Sequence, residues 1–349
     1  MNIIKFLQKL IIKSNSSKIF EIPILQIEPT LTCYFNCRHC FRTQAKYEKS
    51  LDINIIQNNI FNKNIIIKEL KIGGAGDCFT LPDIIPIFKK LKIISKNISC
   101  ITHAITLEKF IPEIMSGNLI QKFSVSFEGI TEESYNRIRG KNNFQKVINN
   151  LKLIQTEKTK NKIDEPEIEA IYTCLKSNVN DIKTTPSFFR NLGFSRIIYQ
   201  PLIPDDELVK KHPEKLCCSA EMISYSNDEI RKIFQNIKEE GSKLNIEIIV
   251  NDNIINAPIQ KTNPVSAKKY CDMCLNFIHI NFEGYVYPCC LGNGSLILGN
   301  VCENSLIDIL NSKKYLEIKR NLENNNPYEI CVKCREYKNI SGKNFSRTS

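Results

Sequence analysis

Strand-like and helical runs alternate along residues 22–200, and this alternation restricts the possible fold more than any other feature of the chain. The strand-like runs cover residues 22–27, 69–72, 98–102, 122–127, 167–175 and 196–200. The helical patterns between them cover residues 52–61, 82–91, 107–115, 132–154 with a break near Gly140, and 179–192. Such alternation is typical of βαβ units with a parallel sheet. The sequence therefore predicts an α/β fold of six strand–helix steps, with the sixth helix delayed.

The chain continues well beyond this α/β unit. Its 349 residues predict either two domains or a barrel with an appendage. A capping-box pair, Ser226 and Glu229, opens a helix that runs to about residue 243, and residues 246–250 read as one further strand. We expect four parts, which are an N-terminal helical segment (1–20), the barrel (21–203), a connector with a helix and a linker (204–268), and a cysteine-rich module (269–349).

Three cysteines, Cys33, Cys37 and Cys40, follow the first strand directly. Three thiolates can hold a cubane iron–sulfur cluster and leave one iron without a protein ligand, so a small molecule can bind metal there. A structural zinc site and a disulfide pair are the alternatives. The chain has 15 cysteines and no recognisable export signal, a combination that favours metal or redox use over disulfides.

Composition restricts the partners of the chain. The formal charge is +11, but the lysines are scattered and no run interleaves them with aromatic residues, so we expect no nucleic-acid partner. No apolar run reaches the length of a membrane span, and we expect a cytoplasmic protein without stable membrane insertion. Apolar residues recur at helical spacing in residues 3–11 with lysines between them, which fits either core packing or a membrane-surface helix.

The cysteine triplet in its flanking sequence resembles the radical S-adenosylmethionine (radical SAM) superfamily, with His39 at the place of the family's aromatic residue. The resemblance implies a partial (βα)6 barrel of the TIM type with a small C-terminal cysteine-rich iron–sulfur module. It also implies that the run Gly73-Gly74-Ala75-Gly76-Asp77 holds the amino group of SAM, through Gly74, Gly76 and Asp77. Family members usually carry glutamate and then proline where this chain has Asp77 and Cys78.

The segment after the fourth strand carries further resemblance to the same family. Its residues 124–129 and 131–140 are similar to those of radical SAM proteins with C-terminal SPASM or twitch modules. The resemblance implies that Ser126 meets the ribose or carboxylate of SAM, and that either Arg137 or Arg139 pairs with that carboxylate. Residues 196–200 fall where the family's adenine-contacting strand lies, with Ile198 or Gln200 as neighbours of the base.

A second cysteine set lies in the last 80 residues and resembles SPASM or twitch domains. The resemblance implies one auxiliary 4Fe-4S cluster on Cys274, Cys289, Cys331 and Cys334. A zinc site on the same four cysteines is the alternative, since four thiolates also satisfy tetrahedral zinc. Three further cysteines of this region, Cys271, Cys290 and Cys302, have no assigned ligand role.

Some residues whose side chains could take part in chemistry fit no motif. His103, His212 and His279 show no ligand spacing and are interpreted as packing or surface histidines. Cys78 follows the glycine-rich loop, where a thiol can donate a hydrogen atom, ligate metal or simply be buried.

The family resemblance implies a reaction. A 4Fe-4S cluster reductively cleaves SAM, and the resulting 5′-deoxyadenosyl radical abstracts hydrogen from a substrate. The auxiliary module points to a peptide or protein substrate, with a small-molecule dehydrogenase acting on an alcohol or sugar as the alternative. A flavodoxin- or ferredoxin-type protein is the expected electron donor. A zinc-binding basic nucleic-acid-binding protein is the hypothesis from another functional class.

Overall fold

The computed structural model describes residues 20–43, 50–61, 64–223, 228–251, 254, 268–271, 274, 276–290, 296–324, 326–333 and 338–340. Several expectations lie outside the described residues. These are the N-terminal helical segment up to residue 19, the capping residue Ser226, most of the 251–266 linker and the cluster ligand Cys334.

Seven parallel strands form the main part of the sheet and stand in the order of the chain. They are β1 (Phe20–Ile27), β2 (Ile65–Ile72), β3 (Ile98–Thr102), β4 (Lys122–Ser126), β5 (Glu167–Cys174), β6 (Arg196–Pro201) and β7 (Glu247–Val250). Each pairs in parallel with the next. The α/β expectation is confirmed, and the further strand expected at residues 246–250 is β7, at the far edge of the sheet.

Helices follow these strands, and all of the longer ones bury apolar residues in the core. The helices are α1 (Ile53–Ile55), which continues as a π-helical turn (Ile56–Ile60), α2 (Ile84–Leu91), α3 (Ile111–Ser116), α4 (Glu132–Arg139), α5 (Phe144–Asn161), α6 (Thr185–Asn191), α7 (Asp206–Lys211) and α8 (Asp228–Leu244). Gly140 ends α4 in the left-handed conformation, with φ +76°. Glycine adopts this conformation without the steric cost that other residues meet, which explains the predicted break at this position.

The C-terminal region joins the same sheet, a feature that the sequence pattern does not indicate. Its strands are β8 (Lys268–Tyr270), β9 (Phe277–Ile280), β10 (Tyr285–Tyr287), β11 (Gly299–Asn300) and β12 (Lys338–Ile340), and its helices are α9 (Leu306–Leu310), α10 (Lys313–Glu323) and α11 (Glu329–Lys333). β9 pairs in parallel with β1, and β10 and β11 follow antiparallel. Within the described residues, one ten-stranded sheet therefore runs from β11 to β7, and β8 pairs separately with β12.

The core lies between the sheet and its helices, and aromatic side chains fill the part nearest β4. Phe127 contacts the rings of Tyr135, Phe144 and Phe189 at centroid distances between 4.9 and 6.1 Å. This packing fixes α4 against the end of β4, and α4 carries residues that reach the site described below. Of the helices that the structure describes, none has both the length and the apolar character needed to cross a membrane.

Candidate active site

A cavity of about 800 Å³ opens at the carboxyl ends of the parallel strands. Reactive groups collect at this end of a parallel barrel, because the loops that follow the strands converge there. The cavity brings together the predicted residues of the first site except Arg137 and Ile198. Its lining includes Cys33, Cys37, His39, Cys40, Gly74, Gly76, Asp77, Ser126 and Arg139.

The three cysteines lie on one buried loop after β1. Cys33 and Cys37 are buried and Cys40 is half-buried, and all three face the cavity. Burial raises the pKa of the Cys33 thiol to about 12, and burial likewise raises the pKa of Cys37. Metal binding displaces these protons into solvent, because the positive charge of the metal stabilises a thiolate that burial alone disfavours. Three convergent thiols beside a cavity fit a cluster with one open iron.

Buried charges surround Cys37. Arg139 donates a hydrogen bond to the Cys37 sulfur at 3.3 Å, and its other terminal nitrogen lies 2.7 Å from a carboxylate oxygen of Glu128. Burial acts to lower the pKa of Arg139, but Glu128 and Cys37 outweigh it and hold the pKa above the usual value. Glu128 also lies 3.7 Å from His39 Nε2 and accepts a hydrogen bond from Thr173. The guanidinium therefore stays positively charged beside the cluster ligands.

The two candidate arginines occupy different environments. Arg139 is 4% exposed, lines the cavity and lies over the rings of Phe35 and Tyr135. Arg137, on the exposed side of α4, donates instead to the carbonyl of Ser177 at 2.6 Å. Arg139 is therefore the arginine positioned to meet a ligand in the cavity.

The glycine-rich loop after β2 lies tightly against β1. A Cβ atom at Gly74 would stand 2.3 Å from Glu28 Oε1 and 2.6 Å from Gln26 Nε2, and one at Gly76 would stand 2.3 Å from the carbonyl oxygen of Thr30. Gly74 also has φ +154°. At Gly76 a side chain would collide with the backbone of Thr30 and Leu31, and at Gly74 it would displace the Glu28 and Gln26 side chains, so glycine lets the loop form this wall of the cavity.

Glu28, at the end of β1, fastens this loop to the C-terminal region. One of its carboxylate oxygens accepts a hydrogen bond from the Ala75 amide at 3.0 Å. The other lies 3.2 Å from Nε2 of His279 on β9. His279 is 2% exposed, so it is a packing residue of the interior.

Asp77 is 1% exposed and its carboxylate is already engaged by its own chain. It accepts hydrogen bonds from the Phe79 amide, the Thr102 hydroxyl and the His103 amide, at 2.8–2.9 Å. The His103 ring also lies close, with Nε2 3.1 Å from the same carboxylate. These bonds fix the position of Asp77, which still lines the cavity beside Gly76.

Cys78, the next residue, points away from the cavity. Its sulfur lies 3.1 Å from that of Cys100 on β3, and both residues are fully buried. Burial raises the pKa of both thiols. Of the three roles considered for Cys78, the structure supports plain burial.

The far wall of the cavity is formed by β4, β5 and β6. Ser126, Thr173 and Gln200 stand at the ends of these three strands and line the cavity. Gln200 donates to Thr173 Oγ1 at 3.1 Å, which fixes its side-chain amide. Of the two residues considered for the adenine side, Gln200 and not Ile198 belongs to this wall.

The second cysteine set gathers near α10 and α11. Cys274 and Cys331 are buried and Cys289 is half-buried, whereas Cys334 lies outside the described residues. Burial, followed by the charges of Cys289, Cys271 and Cys331, raises the pKa of Cys274. Cys271, Cys289 and Cys331 therefore lie close enough to Cys274 to act on its thiol electrostatically.

The two sites adjoin each other. Cys290, the residue after Cys289, lines the same cavity as Cys33 and Cys37. The predicted auxiliary ligand Cys289 therefore stands one residue away from the wall of the first cavity.

Some residues of the site were not predicted from the sequence. Glu28 and Glu128 follow strand ends, which is the signal that places polar residues at this edge of the sheet. Lys215, by contrast, belongs to a polar connector and carries no such signal, although it is 2% exposed and contacts the cysteine loop.

Two family profiles match the chain. The profile of the radical SAM superfamily covers residues 27–183, and the SPASM iron–sulfur cluster-binding domain covers residues 271–335. Over 331 residues the chain is 24% identical to an AdoMet-dependent heme synthase of Methanosarcina barkeri, covering 90% of this chain and 88% of that protein.

Solved structures share the fold. The structure of Streptococcus suis SuiB bound to its precursor peptide SuiA superposes with a TM-score of 0.63 at 13% identity, covering 97% of this chain and 79% of SuiB. Native anSMEcpe with bound AdoMet gives a TM-score of 0.59 at 15% identity, covering 89% of this chain and 86% of that protein. The two profile matches, in the order barrel then cysteine module, agree with the arrangement of the two cysteine sets. The chain belongs to the radical SAM superfamily and carries a C-terminal SPASM domain, so SAM and 4Fe-4S clusters are its cofactors.

Proposed function

We propose that the protein generates a radical from SAM at a cluster on Cys33, Cys37 and Cys40 and uses it to abstract hydrogen from a peptide or protein. The observation that carries the proposal is the single cavity shared by these three thiols, the glycine-rich loop, Ser126 and Arg139. When bound, the reduced cluster and SAM supply a 5′-deoxyadenosyl radical, the species that removes the hydrogen atom.

The residues of the chain would hold and orient the cofactor. Arg139 presents a guanidinium to the SAM carboxylate from a buried position, while Gly74 and Gly76 let the loop backbone approach the amino group. Asp77, fixed by three hydrogen bonds, supports that loop and offers its negative charge to the ammonium. Ser126 and Gln200 line the far wall of the cavity, where they would contact the ribose and the adenine.

The residues around the opening of the cavity support a substrate that enters from solution. Phe41 and Ile203 are 59% and 58% exposed and stand at the mouth beside the acidic residues Asp205, Asp206 and Glu207. An apolar rim next to negative charge suits a peptide with apolar and basic side chains. The fold likeness to SuiB, which was solved with its precursor peptide, agrees with this choice.

A small molecule is the second candidate substrate. The likeness to the AdoMet-dependent heme synthase extends over nine-tenths of the chain, and the substrate implied by that name is not a peptide. In either case, a flavodoxin- or ferredoxin-type protein is the proposed electron donor. The auxiliary cluster, proposed on Cys274, Cys289, Cys331 and Cys334, would carry an electron away from the substrate radical.

The cluster assignment is tested with Cys37→Ala. Reconstituted wild-type protein should hold about eight irons per chain, and the variant about half of that. With SAM and reductant, the wild type should release 5′-deoxyadenosine and the variant none. Release at the wild-type rate from Cys37→Ala would show that the radical arises elsewhere.

The substrate class is tested by isotope transfer. A deuterated extract of the source cells is separated by size into a peptide-and-protein fraction and a small-molecule fraction, and each is supplied to the enzyme with unlabelled SAM. We expect deuterium in 5′-deoxyadenosine with the first fraction only. Deuterium with the small-molecule fraction alone would favour the second candidate.

A further inference from the structure

Lys215 is a buried lysine outside every motif of the chain. Only 2% of the residue is exposed. Its ammonium donates to Asn36 Oδ1 at 3.0 Å, to the Cys37 carbonyl at 3.2 Å and to the Arg42 carbonyl at 2.5 Å. An ammonium group has three donors, so these three contacts use all of them.

All three acceptors belong to the loop that carries the cysteines. They lie before, at and after Cys37, so one side chain spans the loop from residue 36 to residue 42. The next residue adds a backbone contact, because the Leu216 amide donates to the Arg38 carbonyl at 2.6 Å. The loop is thus held in place by Lys215 and Leu216, which lie more than 170 positions later in the sequence.

The charge of Lys215 has no matching acid among these three acceptors, each of which is a neutral carbonyl or amide oxygen. A buried ammonium is costly unless an opposite charge compensates it. Thiolates that ligate a cluster at Cys37 and Cys40 would provide that opposite charge next to the loop. The cation therefore suits the loaded site better than the bare one.

The segment that carries Lys215 also forms the mouth of the cavity. We call residues 202–217 the strap; it includes α7. Strap residues from Leu202 to Glu207, together with Cys217, line the cavity, and the Asp205 amide donates to the Cys217 carbonyl at 2.7 Å. One short segment thus contacts both the cysteine loop and the space where substrate enters.

We propose that Lys215 is a positioning residue that fastens the cluster loop through its three hydrogen bonds and whose positive charge stabilises the reduced cluster. The proposal rests on the assignment of the cluster to Cys33, Cys37 and Cys40 made above. Reduction adds one negative charge to the cluster, and a nearby buried cation lowers the free energy of that state. Lys215 therefore raises the reduction potential and slows the loss of iron.

The test separates fastening from charge with three variants of the full-length reconstituted protein. Lys215→Gln removes the charge but keeps an amide donor, Lys215→Arg keeps the charge, and Asn36→Ala removes one acceptor. Lys211→Gln, at an exposed lysine of the strap, is the matched control. Two quantities are measured on the cluster whose EPR signal responds to SAM, namely its midpoint potential and its rate of iron loss to a chelator.

We expect Lys215→Gln to shift the potential to more negative values and to lose iron at least tenfold faster, a change of about 1.4 kcal/mol in the barrier. Lys215→Arg should keep the potential and lose iron at an intermediate rate. Asn36→Ala should keep the potential and lose iron faster, whereas Lys211→Gln should match the wild type.

Two results would overturn the proposal. A wild-type potential in Lys215→Gln removes the role of the charge, and wild-type iron retention in Asn36→Ala removes the role of fastening. If Lys215→Gln fails to fold, a potential in Lys215→Arg that departs from the Lys211→Gln value contradicts the charge argument. The Cys37→Ala variant distinguishes failure of the Lys215 proposal from failure of the proposed function. A SAM-responsive EPR signal that survives in Cys37→Ala would refute the cluster assignment itself.

Discussion

The two cysteine sites of this chain differ in what surrounds them. The neighbours of Cys37 are buried charges. Arg139 donates a hydrogen bond to the Cys37 sulfur and pairs with Glu128, and Lys215 donates to the Cys37 carbonyl. Around Cys274 the groups that raise its pKa, after burial itself, are three other thiols, and Lys319 acts in the opposite direction.

This difference follows from what each site would hold. SAM carries a carboxylate, an ammonium and a sulfonium, so its site needs fixed charges of both signs, each compensated while the site is empty. A cluster ligated by protein on every iron needs only deprotonated thiols and a shell that keeps water away. The contrast predicts that substitutions near the first site act through charge, and those near the second act through the thiols alone.

The largest expected effect is the loss of one cluster without loss of the other. Cys274→Ala should lose about half of the iron yet still release 5′-deoxyadenosine from SAM, because the first cavity keeps its three thiols. Iron analysis and product chromatography on this variant, beside Cys37→Ala, provide the measurement. Loss of all iron from Cys274→Ala would mean that the sites do not load independently.

The next effect concerns the buried ion pair. Glu128→Ala leaves the Arg139 charge without its carboxylate partner, and breaking such a pair costs about 3–5 kcal/mol. Chemical denaturation of the reconstituted protein measures the loss. Glu128→Gln is the control that keeps the shape of the side chain, and a Glu128→Ala variant as stable as the wild type would contradict charge compensation.

His103 should make stability depend on pH. Its Nδ1 accepts from the Ile105 amide at 3.2 Å, and burial lowers its pKa from 6.5 to about 4. The unfolded chain thus binds the proton more readily, so the free energy of unfolding should fall by about 3 kcal/mol as pH drops from 6.5 to below 4. Denaturation of wild type and His103→Gln at several pH values tests this, and parallel curves would refute it.

The smallest effect is expected near the second site. Burial and the neighbouring Cys274 raise the pKa of Tyr315 to about 12, and Lys319 lies over its ring. Tyr315→Phe keeps the ring and its packing, so the free energy of unfolding should change by no more than about 1 kcal/mol. Tyr315→Ala is the reference for lost packing. A larger decrease in the free energy of unfolding of Tyr315→Phe would show that polar contacts matter here as much as at Cys37.

Local patterns in the sequence indicated several residues that line the first cavity. The strand ends located Cys33, the glycine-rich loop and Ser126, because parallel strands bring the residues that follow them to one edge. The choice between Arg137 and Arg139 needed the structure. Both lie on α4, and only the three-dimensional packing decides which faces the cavity.

Long-range contacts were not predictable in the same way. The pairing of β9 with β1 joins residues about 250 positions apart, and no periodicity encodes such a partner. Lys215 lies in a polar stretch where lysine usually faces water, so its burial depends on a loop elsewhere in the chain. His103 and His279 were expected to be packing or surface residues, and both are buried, with His103 on the cavity wall.

The position of β1 between β2 and β9 has a consequence for biosynthesis. As the chain leaves the ribosome, β2 can pair with β1 early, but β9 is synthesised about 250 residues after β1. Until then one side of β1 presents unpaired amides and carbonyls, the kind of edge that recruits strands from other molecules. Newly made chains, and fragments that end before β9, should therefore be the forms most prone to aggregate.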